Sequence, residues 1–280
     1  MPIAWRCVPS LTPLERLAVL NLLDRTEAEL GREALDEGRR RAVVHGRRAE
    51  HWLAEDTALV GYASATPGAH STVEMCGGGV DPTLLEALRG RHRVIDWWTR
   101  DRTDAPPGGT TVRTLELLRV PLPVAVEPVP EGAVLRTFEP TRDATAWLSQ
   151  NNAAFADHPE QGAWDEADLA VRMAEPWFDP SGFLVLELDG RLAASCWTKV
   201  HELHPDRFGE IYVISVDPDF QGRRLGRVMV TQGLHVLARR NVASAVLFVD
   251  ESNEPARHLY ASLGFGLERR DLLVRFAGSA

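Results

Sequence analysis

The sequence predicts a mixed α/β fold built as two tandem units. Each is a central mixed sheet flanked by helices, and the N-terminal copy is degenerate. Three observations lead there. Apolar strand-type runs alternate with helical patterning in both halves. A proline-rich stretch at 121–132 separates them, giving units at 1–120 and 133–280. The order of elements in the first unit parallels that in the second, although the residues themselves hardly repeat.

In the first unit, Ala4 to Val8 is a short strand. Leu14 to Leu23 and Gly31 to Val44 carry helical patterning. Trp52 to Ser64 reads as a hairpin about Glu55-Asp56, and Thr72 to Val80 as the next strand. Val94 to Arg100 and Thr111 to Arg119 are strands that close the sheet. Between Val120 and Gly132 there are four prolines in thirteen residues. Proline fixes φ and lacks an amide donor, so this stretch is a stiff, extended linker rather than helix or interior strand.

The second unit restarts with a strand at Val134 to Phe138. Helices follow at Arg142 to Phe155 and Asp165 to Glu175. Phe183 to Leu188 and Leu192 to His201 form a hairpin about Asp189-Gly190. Gly209 to Val216 is a strand, Leu225 to Arg240 a helix, and Ala245 to Val249 a strand. Asn253 to Leu263 is a helix with Asn253 as N-cap, Pro255 in its first turn and Gly264 as its stop signal. Phe265 to Phe276 ends the chain as a strand.

Composition narrows the function. A hydrophobic share of 44% and a charged share of 25% describe a soluble globular protein. The net charge of −9 argues against nucleic-acid binding, which needs a basic face. No run reaches the length of a membrane span, and the N-terminus lacks a signal-peptide core, so a cytoplasmic location is expected. Cys7, Cys76 and Cys196 are too few and too dispersed for a disulfide framework or a zinc site, and no metal is expected. His158, His201 and His258 show no metal-ligand spacing and read as structural or surface residues. A monomer acting on a small molecule is the expectation. Among 31 basic residues a single one, Lys199, is lysine. A compact ammonium on a flexible stem suits a close contact to a sugar or inositol hydroxyl.

The most specific segment is the one after the strand ending at Val216. A short turn, Asp217-Pro218-Asp219-Phe220, feeds Gln221-Gly222-Arg223-Arg224-Leu225-Gly226-Arg227 at a helix N-terminus. There the free amides and the positive end of the helix dipole make an anion site. An ordinary strand–turn–helix with solvated arginines has the same local pattern. Further on comes the run Asn253-x-x-Ala256-x-x-x-Tyr260-x-x-x-Gly264-Phe265. The two runs, in this order and at this separation, resemble the acetyl-coenzyme A site of GCN5-related N-acetyltransferases, whose pattern is Gln/Arg-x-x-Gly-x-Gly/Ala. Gln221 and Gly226 match that pattern; Arg224 stands where it has its first glycine. Three further segments resemble the mycothiol synthase family: Asn151 to Trp164, Trp197-Thr198-Lys199-Val200-His201, and Gly209 to Val213. These are tandem-repeat acetyltransferases of actinobacteria that acetylate the cysteinyl amine of cysteinyl-glucosaminyl-inositol. The resemblance covers residues 133 to 276 well and the N-terminal half loosely.

The resemblance implies acetyl-coenzyme A as co-substrate and a role for each matching residue. Glu210 is the general base, acting through a water, and Tyr260 the general acid for the departing thiolate. The backbone of Ile214, Ser215 and Val216 binds the cofactor, with the Val216 amide polarising the thioester carbonyl. Gln221, Gly222, Arg223, Arg224, Leu225, Gly226 and Arg227 hold the pyrophosphate. Asn253, Glu254, Pro255, Ala256, Arg257 and His258 meet the pantetheine and adenylate. Glu160, Lys199 and Glu210 hold the sugar-linked acceptor. Phe248 stands where the family has a substrate-touching tyrosine, so one hydrogen bond of about 1 kcal/mol is lost. The first unit lacks a phosphate loop after Asp81-Pro82, yet the resemblance implies that it lends a substrate-binding acid, for which Glu33 is the candidate. Two other readings remain open: an acetyltransferase for another small amine, such as an aminosugar or amino acid, and a non-catalytic acetyl-coenzyme A sensor.

Overall fold

The computed structural model describes residues 4–46, 49–77, 82–100, 106–156, 158, 162–202 and 207–278. The N-terminal half runs β1 (Trp5–Val8), α1 (Pro13–Leu30), α2 (Glu37–His45), β2 (Glu50–Glu55), β3 (Leu59–Ala65), β4 (His70–Gly77), α3 (Pro82–Arg89), β5 (Val94–Thr99) and β6 (Thr110–Pro121). The C-terminal half runs β7 (Val134–Thr137), α4 (Pro140–Ala154), α5 (Glu166–Met173), β8 (Phe183–Leu188), β9 (Arg191–His201), β10 (Phe208–Val216), α6 (Leu225–Ala238), β11 (Ser244–Asp250), α7 (Glu254–Ser262) and β12 (Gly266–Ala277).

The two helices expected at 14–23 and 31–44 have other bounds, the first reaching Leu30 and the second starting at Glu37. The apolar pattern places a helix from Gly31 to Val44, but Gly31 adopts φ 62° and ends α1, as a glycine can at low steric cost. The next helix begins at Glu37, behind Asp36, whose side chain accepts the Arg39 amide at 2.9 Å. Residues 31–36 are therefore a loop, and that loop carries Glu33. The start of α1 follows local rules: the Thr12 hydroxyl and the Glu15 carboxylate cap each other's amides, with Pro13 in the first turn.

Among the described residues the twelve strands join one sheet, in the order β1-β2-β3-β4-β5-β12-β6-β11-β10-β9-β8-β7. The two central strands are exchanged between halves. β12, the end of the chain, pairs with β5, whereas β6 pairs with β11 and β12. The strand expected at 111–119 to close the first sheet thus closes the second. The exchange places Leu118 and Val120 in the C-terminal core, and Val274 and Phe276 in the N-terminal one. Burying apolar surface from each half in the other ties the two together.

Alternation along the strands feeds one core on each face of the sheet. In β9, Cys196 faces the cluster under α6, while Trp197 faces an aromatic cluster under α4 and α5. Trp197 stacks on Phe183 at 4.4 Å and meets Trp147 edge-on at 6.1 Å. After β6 the proline-rich segment lies along α6. Leu122, Val124 and Val129 pack on the core there, and the Glu127 amide donates to Thr231 Oγ1 at 3.1 Å.

Candidate active site

A sheet opens where two neighbouring strands stop pairing. β10 and β11 run parallel but pair only at Gly209–Ala245 and Glu210–Val246. Beyond Glu210 they part. On its other edge β10 carries a bulge: Ile211 pairs with Thr198 and Val213 with Trp197, leaving Tyr212 extra. A bulge bends its strand and increases the local twist. The result is a cavity of about 1600 Å³, lined on one wall by Ile211 to Val216 and on the other by Val246 to Asp250.

The phosphate-type loop stands at one end of this opening. Asp217 caps a short turn by accepting the Asp219 amide at 2.9 Å, and Phe220 is buried as its anchor. Gly222 has φ 77° with open space around its Cα. Arg224, directly before α6, adopts φ 61° and ψ 14°. It occupies the left-handed conformation that glycine favours, and it puts a guanidinium where the family pattern has glycine. Arg223 reaches Asp189 at 3.4 Å, and Arg227 is bonded to Glu127 and Ser262 at 2.6 and 2.7 Å. Leu225, Gly226 and Arg227, the first turn of α6, line the opening, and the Arg227 and Val228 amides bond to the Arg224 carbonyl at 3.1 and 3.3 Å.

Most residues singled out from the sequence line this one cavity. They are Ile214, Ser215, Val216, Gln221, Gly222, Arg224, Leu225, Gly226, Arg227, Asn253, Pro255, Ala256, Tyr260, Lys199, Glu210, Phe248 and Glu33. Arg223, Glu254, Arg257 and His258 do not line it. Arg257 turns instead to Glu116, at 2.7 Å. Glu160 lies outside the described residues. Phe248 is an exposed aromatic on the cavity wall. Tyr260 is buried, and burial holds its hydroxyl above the ordinary tyrosine range.

At the far end, charged groups from both halves converge. The cross-strand pairing of Lys199 with Glu210 and of His201 with Phe208 sets Lys199, His201, Glu210 and Phe208 on one face. Glu33 comes to the same place from the loop after α1. Lys199 Nζ lies 3.2 Å from Glu33 and 5.0 Å from the Trp177 ring centre. Burial alone lowers the Lys199 pKa, but Glu33, Glu210 and Glu37 more than reverse this and raise it. Burial likewise raises Glu33, and Lys199, His201 and Arg100 more than reverse that, so its carboxyl sits below the usual range. His201 Nε2 lies 2.5 Å from Glu210 Oε2.

Spacing along the chain gives His201 a structural reading; the fold puts it in the cavity, bonded to Glu210. The signal lies in the alternation of Trp-Thr-Lys-Val-His, which gives Lys199 and His201 the same face. Trp98, Arg100 and Arg113 also line the cavity. Trp98 and Arg113 come from β5 and β6 and Arg100 from just past the end of β5, where no local pattern marks them. Glu74, buried beside Arg100, is pushed up to about 7 by burial and by Asp36, against the pull of Arg100 and Arg39. Among the described residues there is no group of three side chains suited to a metal ion, and no helix long and apolar enough to cross a membrane.

Known proteins share both the sequence pattern and the architecture. A model of the Acetyltransferase (GNAT) family matches residues 147–265. A mycothiol acetyltransferase from Thermomonospora curvata is 48% identical over 230 residues, spanning 75% of this chain and 76% of that protein. One from Streptomyces griseus subsp. griseus is 38% identical over 98% of this chain and 97% of its own length. Among solved structures, a tandem GNAT protein from the clavulanic acid biosynthesis pathway superposes with a TM-score of 0.71. It does so at 16% identity, covering 99% of both chains, a likeness of fold.

Proposed function

The chain belongs to the mycothiol acetyltransferase family of tandem GNAT proteins, and on that premise we propose that it acetylates the cysteinyl amine of cysteinyl-glucosaminyl-inositol with acetyl-coenzyme A. The observation that carries this is the joint placement of Glu210 and Tyr260 on the cavity that opens where β10 parts from β11, with the α6 N-terminus at its end.

Each residue then has a task the chemistry requires. Amide formation needs a neutral amine, a polarised thioester carbonyl and a proton for the leaving thiolate. A free α-amine has a pKa of about 8, so a carboxylate near neutrality suffices as the base. Glu210 takes the amine proton, relayed through a water, as the nitrogen–carbon bond forms. Backbone amides along Ile214 to Val216, unpaired on the side facing β11, are available to the thioester carbonyl. As the carbon–sulfur bond breaks, Tyr260 supplies the proton to the thiolate; a hydroxyl whose pKa is raised stays protonated until it is needed. The open loop at Gly222 and the N-terminus of α6 fit the pyrophosphate. Lys199 and Glu33 provide a charged donor and a charged acceptor for a polyhydroxylated amine.

The test is to incubate the purified protein with acetyl-coenzyme A and cysteinyl-glucosaminyl-inositol and to follow the product by mass spectrometry. A product that survives hydroxylamine is an amide, not a thioester. No amide from this acceptor, with turnover of an aminosugar or amino acid in its place, overturns the acceptor assignment. No turnover of any amine favours a sensor.

A further inference from the structure

The base at Glu210 does not stand alone. Its Oε2 is 2.5 Å from His201 Nε2, and the other ring nitrogen, Nδ1, is 3.4 Å from Glu33 Oε1. The imidazole is thus set between two carboxylates, one from each half of the chain. Three features fix its orientation. His201 is 8% exposed. Its ring stacks on Phe208 at 4.6 Å and 14°. Arg119 covers the Phe208 ring, 4.9 Å from its centre. A ring held on one face, bonded at Nε2 and with Nδ1 close to a carboxylate has little freedom to turn. Glu33, in turn, is fixed by Lys199.

We propose that His201 is the positioning residue of the base, resting on the reading of Glu210 given above. Nε2–H donates to Oε2 of Glu210, which leaves Oε1 as the atom that accepts the amine proton. Nδ1 faces Glu33, so the orientation of the base is linked to the N-terminal loop that also faces the acceptor. A carboxylate otherwise rotates freely about its last bond, and a misplaced base loses rate steeply; an error of 1 Å can cost about a hundredfold. Two residues apart on one strand, Lys199 and His201 share a face: both stand beside Glu33, and His201 alone of the two bonds to Glu210.

The test uses His201→Leu, His201→Gln, Glu210→Gln and the double variant His201→Leu/Glu210→Gln. Glutamine sets an amide donor near the position of Nε2; leucine sets none. Expected for His201→Leu is a kcat about tenfold to a hundredfold lower, with the KM for acetyl-coenzyme A within about twofold of wild type. Glutamine restores most of the loss. In the Glu210→Gln background the leucine change costs less than about twofold more, because its effect passes through Glu210. A merely structural histidine gives additive losses in the double variant and no rescue by glutamine, and either result overturns the proposal. The ring contact is also read without any acceptor. Histidine nitrogen–proton correlation spectra of the full chain are expected to show an Nε2-bound, hydrogen-bonded proton that shifts in Glu210→Gln. An unchanged signal overturns the proposal even if His201→Leu fails to fold. Wild-type protein that turns over no cysteinyl-glucosaminide overturns the functional reading instead, and the ring spectrum still decides the contact.

Discussion

Lys199→Met tests both the acceptor site and the joining of the halves. Methionine keeps the apolar stem among Trp177 and Tyr212 and removes the ammonium. Breaking a buried ion pair by deleting one partner costs about 3–5 kcal/mol. The Lys199 side chain is 7% exposed, but that of Glu33 is 32% exposed and keeps His201 beside it. Solvent screening therefore reduces the expected loss to about 1–2 kcal/mol. In a chain of 280 residues that is a fall of roughly 2–4 °C in thermal midpoint. The acceptor loses a charged donor worth about 1.5–3 kcal/mol, so its KM rises roughly tenfold or more. The KM for acetyl-coenzyme A stays near wild type. The pH dependence has a defined sign. Glu33 has a lowered pKa, so its share of stability is present above the unfolded value of about 4.3 and is lost as pH falls through the folded value. Lys199 has a raised pKa, so its share is present below about 10.4 and is lost as pH rises through the folded value. The stability deficit of Lys199→Met is thus constant from about pH 5 to 10 and shrinks outside that window. Denaturation across pH and acceptor kinetics measure both effects. An unchanged acceptor KM together with an unchanged midpoint would refute the assignment of Lys199 to this cluster.

Four further outcomes are expected. Glu210→Gln lowers kcat by about 10²–10⁴-fold, with acetyl-coenzyme A affinity by calorimetry nearly intact and a smaller deficit at high pH, where the amine is already neutral. Arg224→Gly keeps the loop and relieves a left-handed backbone at a non-glycine residue. The gain of about 1–2 kcal/mol is partly offset by glycine entropy, so urea denaturation should show stability unchanged or raised by up to about 1 kcal/mol. Trp197→Ala removes the centre of the aromatic cluster and costs about 3–5 kcal/mol, read as a lower denaturation midpoint. Glu74, whose pKa is raised to about 7, stabilises below its unfolded value and loses that share as pH rises through about 7. Glu74→Gln should therefore flatten the fall in stability across that interval.

Much of the architecture follows from local rules that the sequence states openly. Period-two runs give the strands of the β8–β9 hairpin and β10, and Asn253 and Gly264 bracket α7. The segment from Gln221 to Tyr260 lies within a family match made on sequence alone. Such features need only neighbours along the chain, and so the fold class, the strand–loop–helix unit and the family are legible in the residues themselves. The helix bounds near Gly31 are not: local patterning ends one helix at Leu23 and starts the next at Gly31, whereas α1 runs to Leu30, the left-handed φ of Gly31 ends it, and the next helix begins behind Asp36. The exchange of β6 and β12 is not, because a strand's alternation says which face is buried but not which strand will pair with it. That exchange depends on contacts between residues far apart in sequence. Only the tertiary structure brings Glu33 to Lys199, 166 positions away, and turns His201 from a scattered histidine into the partner of Glu210.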